Sequence, residues 1–376
     1  MSSLKTSLAQ SPVSVLLCFS HLRWDFVYQR PQHLMERAAQ THRVFYVEEP
    51  VHAPGLAHLR MRQVPSGVTV ITPVMEQHAD PIREQRTLID GLLRVLRPGR
   101  VIQWFYTPMA MRFATDLPAG LVIYDCMDEL SAFRFAPPEL GDLERRLLEK
   151  ADLVFTGGLS LYAAKTGMHP DVHCFPSSVD VDHFAQARGA VPDPGDQSAL
   201  PRPRIGYFGV IDERMDLALV AQAAADLPDV QFVMLGPVVK VNPADLPVAR
   251  NLHWLGRKEY TELPAYMANW QAAWMPFALN ESTRFISPTK TPEFLAAGLA
   301  VTSTAVADVV QTWGEAGLVR IADAGTMAAA LRDSLLPPAH GWRARADAGL
   351  ADMSWNRTWQ EMAQVMDARQ DMRVAV

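Results

Sequence analysis

The chain has little cysteine, no excess of positive charge and no long apolar run, and each shortage excludes a class of protein. Its three cysteines, Cys18, Cys126 and Cys174, lie far apart in 376 residues and form neither a disulfide framework nor a metal cluster, so we expect reduced, buried thiols in a cytosolic protein. The net charge of −6 argues against nucleic acid as the main partner, because a phosphate backbone usually requires a basic face. No apolar run approaches the ~20 residues of a membrane span, and the first one, 13–19, is too short and too soon interrupted for a secretory signal. The early strands lack a Gly-x-Gly-x-x-Gly motif, which argues against an NAD-dependent dehydrogenase.

The chain does have a regular alternation of strand-like and helix-like segments, which is typical of parallel sheets with crossover helices. Strands are predicted in the first half at 13–19, 44–47, 68–71, 101–105, 121–124, 153–155 and 172–175, and helices at 32–39, 83–96 and 140–150. A stretch rich in proline and glycine, 185–204, predicts a linker. Strands then follow at 205–208, 231–235, 252–254 and 272–275, with helices at 217–224 and 260–267. We therefore predict an α/β protein with two doubly wound, Rossmann-like domains at 1–190 and 200–355 that face a central cleft, and a terminal helix at 356–376 that packs back on them.

The most informative stretch is 287–304, which has the pattern of a helix start, a short helix, a glycine stop and a buried strand. Ser287 fits the N-cap and Pro288 the first helical position. Lys290 and Glu293 are three residues apart and so share one helix face. A helix N-terminus with a lysine attracts an anion, and a carboxylate one turn deeper can accept hydrogen bonds from vicinal hydroxyls such as those of ribose. The pattern predicts a nucleotide-sugar site; the alternative is an ordinary surface ion pair.

Four segments of the chain are similar to segments of one known family. They are Ser287-Pro-x-Lys-x-x-Glu-Phe-Leu-Ala-Ala-Gly298, Gly206-Tyr-Phe-Gly-Val-Ile-Asp-Glu-Arg-Met-Asp216, Cys174-Phe-Pro-Ser-Ser-Val-Asp-Val-Asp-His-Phe184 and Ser20-His-Leu-Arg-Trp-Asp-Phe-Val-Tyr-Gln-Arg-Pro-Gln-His33. They resemble segments of GT-B glycosyltransferases. The segment from Ser287 resembles the donor-site helix, and the one from Gly206 resembles the first strand and phosphate loop of the C-terminal domain. The segment from Cys174 resembles the stretch before the linker, and the one from Ser20 resembles the N-terminal start. The resemblance covers essentially the whole chain and is to bacterial exopolysaccharide and cell-envelope transferases of the glycosyl transferase group 1 type.

The resemblance implies that the second domain binds a nucleotide diphosphate sugar of the UDP or GDP type. The matching residues are Gly209, Arg214, Ser287, Thr289, Lys290 and Glu293. Glu293 would bind the ribose, Gly209 would let the backbone approach the diphosphate, and Arg214 would stabilise the leaving group. The pattern alone leaves two alternatives open, a plain turn glycine at Gly209 and a pairing of Arg214 with Asp212 or Glu213.

One residue departs from the family pattern. Retaining transferases usually carry Glu-x7-Glu, and Glu293 matches the second acid, whereas the first falls at Phe285. Donor binding is still expected, but the choice between a retaining and an inverting reaction stays open.

Asp128 is the candidate base or acceptor ligand in the predicted N-terminal domain. It follows a predicted strand, where a carboxylate can remove the proton of an acceptor hydroxyl. With Arg214 and Lys290 it completes the predicted catalytic set. The alternative is that Asp125 or Asp128 caps a helix.

Further side chains on loops are candidates for contacts with substrate. Arg23, Arg30 and His33 are predicted to contact acceptor or diphosphate, and Trp24 and Tyr28 to stack on a sugar. Asn280 and Arg284 are predicted to reach the donor sugar. For all of these the alternative is an ordinary packed or solvated side chain.

A basic helix is predicted within the segment from Arg83 to Arg100, which has five arginines against two acids and an apolar stripe at helical spacing. The simplest interpretation is a core-packed helix with a basic outer face. The alternative is a docking surface for anionic lipid, which suits a lipid-linked acceptor.

We therefore predict a glycosyltransferase that moves a sugar from a nucleotide diphosphate sugar to a saccharide or lipid-linked acceptor, in bacterial polysaccharide or glycolipid synthesis. It would act in the cytoplasm, with a peripheral position at the inner membrane face if the basic helix docks. No metal or other cofactor is expected, because Arg214, Lys290 and the helix dipole can carry the diphosphate charge. A nucleotide-sugar 2-epimerase of the same fold and a non-catalytic nucleotide-sugar-binding subunit remain alternatives.

Overall fold

The computed structural model describes residues 14–77 and 80–374, so Val13 of the first predicted strand lies outside the described residues. The chain divides into two units. The first comprises the residues up to 126, 138–155 and those from 363, and the second comprises 127–137 and 156–362. The chain therefore leaves and re-enters each unit, unlike the consecutive domains 1–190 and 200–355 of the sequence prediction.

The first unit is built on a mostly parallel sheet. Its strands are β1 (Ser14–Phe19), β2 (Arg43–Val47), β3 (Val51–His52), β4 (His58–Gln63), β5 (Thr69–Met75), β6 (Arg100–Phe105), β7 (Leu121–Cys126) and β8 (Leu153–Thr156), and its helices are α1 (Arg30–Ala38), α2 (Pro81–Leu96), α3 (Met111–Ala114) and α4 (Leu140–Lys150). The strand order is β3-β5-β2-β1-β6-β7-β8, with β4 antiparallel to β5. The central strands are buried almost throughout, as expected of a parallel sheet covered on both faces.

The second unit has a six-stranded sheet in which all pairs are parallel. Its elements are α5 (Leu159–Lys165), β9 (Val172–Cys174), α6 (Val181–Ala185), β10 (Arg204–Phe208), α7 (Leu217–Asp226), β11 (Gln231–Leu235), β12 (Leu252–Gly256), α8 (Leu263–Met267), β13 (Ala272–Met275), α9 (Lys290–Ala296), β14 (Ala300–Ser303), α10 (Ala307–Val309), β15 (Val319–Ile321), α11 (Met327–Ser334) and α12 (Trp342–Leu350); α13 (Trp355–Val374) begins here and ends in the first unit. The sheet order is β12-β11-β10-β13-β14-β15. The direction of winding therefore reverses between β10 and β13, and ligands of such sheets bind at the carboxyl ends of the strands at this reversal.

The two sheets, one mostly parallel and one wholly parallel, confirm the predicted α/β, doubly wound class. In α13, Trp355 and Trp359 are buried, as expected for a helix that packs on the body of the protein. Cys18 and Cys126 are buried as predicted, whereas Cys174 is half-buried. Among the residues that the structure describes, no helix combines the length and the apolar character needed to cross a membrane.

The segment 185–204, predicted as a linker, lies inside the second unit. Gln197 is completely buried and accepts a hydrogen bond from Trp270 Nε1 at 2.7 Å. Arg204 is buried as well and pairs with Asp193 at 2.6 Å. Composition alone predicted a linker there, but a few polar anchors order the segment against the body of the unit.

Candidate functional site

Gly209 lies directly after β10, at the reversal point of the second sheet. Its φ is +148°, and a Cβ atom at this position would lie 2.8 Å from Tyr207 Oη and 3.2 Å from Lys290 Cε. Its N–H donates to the Leu235 carbonyl at 3.0 Å, which fixes the loop to the end of β11. The backbone is therefore bare at the point where Lys290 approaches, as a phosphate loop requires.

Helix α9 follows β13 and starts later than predicted. Its first residue is Lys290, and Thr289 takes the N-cap position with helical torsion angles and no side-chain cap. The prediction that Ser287 caps the helix and that Pro288 is its first residue is therefore wrong. Ser287 instead approaches Gly158, where a Cβ atom would lie 2.5 Å from the Ser287 Cβ. The Lys290 Nζ donates to Thr289 Oγ1 at 2.9 Å.

Glu293 points into the interior of the second unit. The residue is 8% exposed, and its Oε2 has no hydrogen-bond partner among the residues that the structure describes. Burial raises the pKa of Glu293 from 4.5 to about 7, although the charge of Lys290 works against the rise. Burial also lowers the pKa of Lys290, partly offset by the charge of Glu293. Among the described residues the two side chains form no direct ion pair, so the surface-pair alternative does not describe them.

Arg214 is held by two partners, one on the loop that follows Gly209 and one on the segment 127–137. Its Nε donates to both Asp212 oxygens at 3.0 and 3.1 Å, and its Nη2 donates to Asp212 Oδ2 at 2.7 Å. Its guanidinium carbon also lies 5.4 Å from the centre of the Phe133 ring. Burial works against the charge, but the hydrogen bonds and charge of Asp212 hold the pKa of Arg214 above its usual range. The alternative drawn from the sequence, a pairing of Arg214 with Asp212, is therefore present.

The segment 127–137 contacts the rest of the second unit through Glu129, which pairs with Lys165 at 2.7 Å, and through Phe133 and Arg134. The Phe133 ring lies 4.9 Å from Lys240 Nζ, and the Arg134 N–H donates to Glu213 Oε1 at 3.1 Å. This segment carries Asp128, whose charge acts on both Arg214 and Lys290. Asp128 was predicted in the N-terminal domain but groups with the second unit.

Several candidates in the first unit are occupied by internal contacts. Arg30 is buried and forms three hydrogen bonds with the buried Asp125, so it is not available to acceptor or diphosphate, and Asp125 is not a helix cap. Arg23 pairs with Glu48 at 3.1 Å. Trp24 and His33 are buried, and the Tyr28 hydroxyl donates to Glu36 at 2.5 Å.

On the loop before α9, Asn280 caps a short turn through its side chain, which accepts from the Ser282 N–H at 3.0 Å. Arg284 stacks on Phe285 at 5.1 Å and is mostly exposed. Neither side chain is committed to the interior, so the expected contact with a donor sugar remains a prediction for both.

Sequence reasoning missed the residues that surround Arg214. Phe133 and Lys240 come from distant parts of the chain, and no local pattern indicates that they meet. Asp212 and Glu213 were visible only as neighbours of Arg214 in the sequence. Spacing within a loop does not predict which carboxylate an arginine will use.

In the second unit, the carboxyl ends of β10 and β13 thus bring together a bare loop backbone, two cations and a buried carboxylate. The cations can neutralise an anion, and the carboxylate can accept hydrogen bonds from hydroxyls. The residues that carry this arrangement are Gly209, Arg214, Lys290 and Glu293.

No protein-family model matches the chain. A Bacillus subtilis (strain 168) protein, whose name assigns it to teichuronic acid biosynthesis as the glycosyltransferase TuaH, is 27% identical over 234 residues. The match covers 58% of this chain and 59% of that protein, so the chain spans about three fifths of the length of its curated relative.

Solved structures match over nearly the whole chain. Sucrose-phosphate synthase from Thermosynechococcus elongatus has a TM-score of 0.74 at 14% identity, covering 97% of this chain and 100% of that one. The E. coli trehalose-6-phosphate structure with bound UDP-2-fluoro glucose has a TM-score of 0.68 at 13% identity, covering 95% and 99%. WaaG, a glycosyltransferase involved in lipopolysaccharide biosynthesis, has a TM-score of 0.63 at 14% identity, covering 93% and 99%. The chain thus has the GT-B fold, and the similarity to GT-B glycosyltransferases that its motifs indicated is confirmed.

Proposed function

We propose that the chain is a glycosyltransferase that transfers a sugar from a nucleotide diphosphate sugar, bound in the second unit, to a saccharide or lipid-linked acceptor. The observation that carries the proposal is the buried Glu293 at the carboxyl end of a doubly wound sheet, whose Oε2 finds no hydrogen-bond partner within 14–77 and 80–374. A buried carboxylate oxygen without a partner is costly, and the hydroxyls of a ribose would satisfy it.

The diphosphate would lie against Gly209, Arg214 and Lys290. When the bond between sugar and phosphate breaks, negative charge develops on the departing nucleoside diphosphate. Fixed cations in a poorly solvated site stabilise that charge without reorganisation. Thr289 shares its hydroxyl with Lys290 and would extend the same contact, and Ser287 would approach the phosphates from the same loop.

Asp128 would act on the acceptor hydroxyl as a base or as a ligand. Its charge acts on Arg214 and Lys290, so it belongs to the same electrostatic environment as the proposed diphosphate site. In such a transfer the acceptor oxygen forms a bond to the anomeric carbon, the bond to the phosphate oxygen breaks, and the acceptor proton passes to the base.

The reaction would require no metal, because Arg214 and Lys290 supply the positive charge. We expect turnover to be unchanged by EDTA. Loss of activity in EDTA and its recovery with Mg²⁺ or Mn²⁺ would contradict this part of the proposal.

The biological role would be bacterial cell-envelope polysaccharide or glycolipid synthesis, as the name of the curated relative and that of WaaG support. The chain would act in the cytoplasm and dock on the inner membrane face through α2. In α2, Arg94 and Val95 are about 80% exposed, and Ile82 and Arg83 are exposed as well. Basic and apolar side chains on one surface helix favour anionic lipid.

Docking on lipid is tested by co-sedimentation with vesicles of phosphatidylcholine alone and with added phosphatidylglycerol. We expect binding only to the anionic vesicles and its loss in the double variant Arg83→Glu, Arg94→Glu. The double variant Arg145→Glu, Arg146→Glu, at two exposed arginines of α4, makes the same change in charge, is the matched control and should bind normally. Equal binding by all three proteins would exclude α2 as the docking surface.

Donor binding is tested by thermal shift and calorimetry with UDP, GDP and uridine. A ligand present at a concentration of about a hundred times its Kd should raise the free energy of unfolding of the protein by ~2.7 kcal/mol. At a pH of about 8, above the raised pKa of Glu293, we expect Glu293→Gln to weaken the binding of UDP and uridine by about tenfold or more, since a hydrogen bond to a charged group is lost. Glu315→Gln, at an exposed glutamate of the same unit, is the control. If no nucleotide binds the unaltered protein, the proposed function fails; if binding survives in Glu293→Gln, the ribose role fails.

A further inference from the structure

The guanidinium of Arg214 is fixed along one edge by Asp212. Nε and Nη2 both donate to this carboxylate, and the Asp212 Oδ1 also accepts from the Arg214 N–H at 3.0 Å. The Asp212 side chain is 7% exposed, whereas that of Arg214 is 24% exposed. A buried acid thus holds a partly exposed arginine in one orientation.

Phe133 restrains the same guanidinium through its aromatic ring. The ring centre lies 5.4 Å from the guanidinium carbon, within the range of a cation–π interaction. Lys240 Nζ lies 4.9 Å from the same ring and 3.7 Å from Glu213, so the ring itself is set in a network. Arg214 is therefore constrained by two independent contacts.

These contacts leave some N–H groups of the Arg214 guanidinium free to bind a ligand. A guanidinium has five N–H groups in a rigid fork. Asp212 accepts hydrogen bonds from Nε and Nη2. The two N–H groups of Nη1 bind no acceptor among the described residues. The remaining edge is suited to a phosphate oxygen pair, which an arginine recognises in a bidentate manner.

We propose that Asp212 is a positioning residue that, together with Phe133, orients Arg214 toward the diphosphate of the donor. This inference rests on the proposed function. An arginine loses much rotamer freedom when it binds a phosphate, and contacts that fix it in advance remove that cost from binding. Asp212 itself does not touch the donor.

Removal of Asp212 should change the affinity for UDP in opposite directions according to whether Asp212 positions Arg214 or acts only through its charge. Asp212 carries a negative charge close to the proposed site of a dianion. By charge alone, its removal would strengthen diphosphate binding. If it positions Arg214, its removal weakens diphosphate binding although the repulsion is relieved.

The experiment measures the Kd of UDP and of uridine by calorimetry for the unaltered protein, Asp212→Asn, Asp212→Ala and Phe133→Leu. We expect UDP to bind about tenfold more weakly to Asp212→Ala and to a lesser degree to the other two, while uridine changes by less than about twofold. Asp216→Asn is the matched control: it removes a charge from the same loop, and its side-chain oxygen can still cap α7 through the Leu219 N–H. We expect this control to leave the Kd of UDP unchanged or slightly lowered.

Three results would overturn the inference while leaving the proposed function intact: UDP affinity that is unchanged or raised in both Asp212 variants, equal weakening of UDP and uridine, or the same loss in Asp216→Asn. The equal weakening would indicate a merely structural role. Melting temperatures identify a variant that fails to fold. If Asp212→Ala fails to fold, the UDP affinity of Asp212→Asn, which keeps the shape of the side chain, decides whether the inference holds. An unaltered protein that binds neither ligand would contradict the proposed function itself.

Discussion

Burial of Glu293 links the stability of the second unit to pH. Below pH 4.5 the carboxyl is protonated in the folded and the unfolded chain, but between 4.5 and about 7 only the folded chain keeps the proton. The stability that this group contributes is therefore present at low pH and lost as the pH rises through that window. A shift of this size corresponds to roughly 3 kcal/mol.

We expect Glu293→Gln to remove this loss, because glutamine does not titrate. The measurement is urea unfolding of both proteins at several pH values between 4.5 and 8. The free energy of unfolding should decline more steeply with pH in the unaltered protein. Parallel curves would contradict a raised pKa at Glu293.

A second prediction at the residue scale concerns Gly209. Gly209→Ala introduces a Cβ atom 2.8 Å from Tyr207 Oη in a backbone conformation that alanine rarely adopts. We expect a loss of about 1–3 kcal/mol in the free energy of unfolding and weaker UDP binding. Gly167→Ala is the control, because a Cβ atom there meets nothing within 4 Å. Equal behaviour of the two variants would show that the loop tolerates a side chain.

Single residues were predictable from the sequence where chemistry and spacing are local. The positions of Lys290 and Glu293 on a short helix and of Gly209 after a strand were predicted in this way, and their role in donor binding stays a prediction. The partners of Arg214 were not, since Phe133 reaches it only through the tertiary fold. The N-cap at Ser287 was wrong because the loop before α9 stays irregular for two more residues.

At the scale of elements, one buried acid contributes to the order of the segment 127–137. Glu213 accepts the Arg134 N–H and pairs with Lys240, and its side chain is 6% exposed. We expect Glu213→Ala to accelerate amide hydrogen exchange in 127–137, because the bond to Arg134 is lost and nothing replaces it. Exchange measured by mass spectrometry checks this, with Glu315→Ala as the control. Unchanged protection would mean that Phe133 and the ion pair of Glu129 with Lys165, at 2.7 Å, hold the segment without Glu213.

Most strands were predictable because buried parallel strands are short apolar runs, as in β1, β6 and β11. Strand β4 was missed because its sequence, His-Leu-Arg-Met-Arg-Gln, is polar and almost wholly exposed. The linker at 185–204 was predicted from composition, and composition does not reveal that Gln197 and Arg204 would be buried. Local sequence patterns thus identified the buried central strands of each sheet, but not the exposed strand β4 or the buried anchors of 185–204.

At the scale of the whole molecule, α13 contributes to both units. Met366 is 2% exposed and belongs to the part of α13 that the first unit includes. We expect Met366→Ala to lower the free energy of unfolding of the first unit by about 2–5 kcal/mol, since a buried side chain is replaced by a cavity. Hydrogen exchange in β1 and β6 reports on that unit. Met168→Ala, at an exposed methionine, is the control, and equal protection in both variants would contradict the expectation.

The number of sheets and their class were predictable from the sequence, because the alternation of strands and helices persists along the chain. The membership of each unit was not, because sequence order assigns neighbours to the same domain, whereas 127–137 and the end of α13 belong elsewhere. No compositional break marks either transition.

The return of α13 to the first unit has a consequence for synthesis. A ribosome makes residues 156–362 before it makes those from 363 onward, so the first unit waits for the whole second unit to be translated before it is complete. Folding of the first unit therefore finishes only after translation has passed α13. A chain truncated after the first sheet would lack the end of α13, and with it the last part of the first unit.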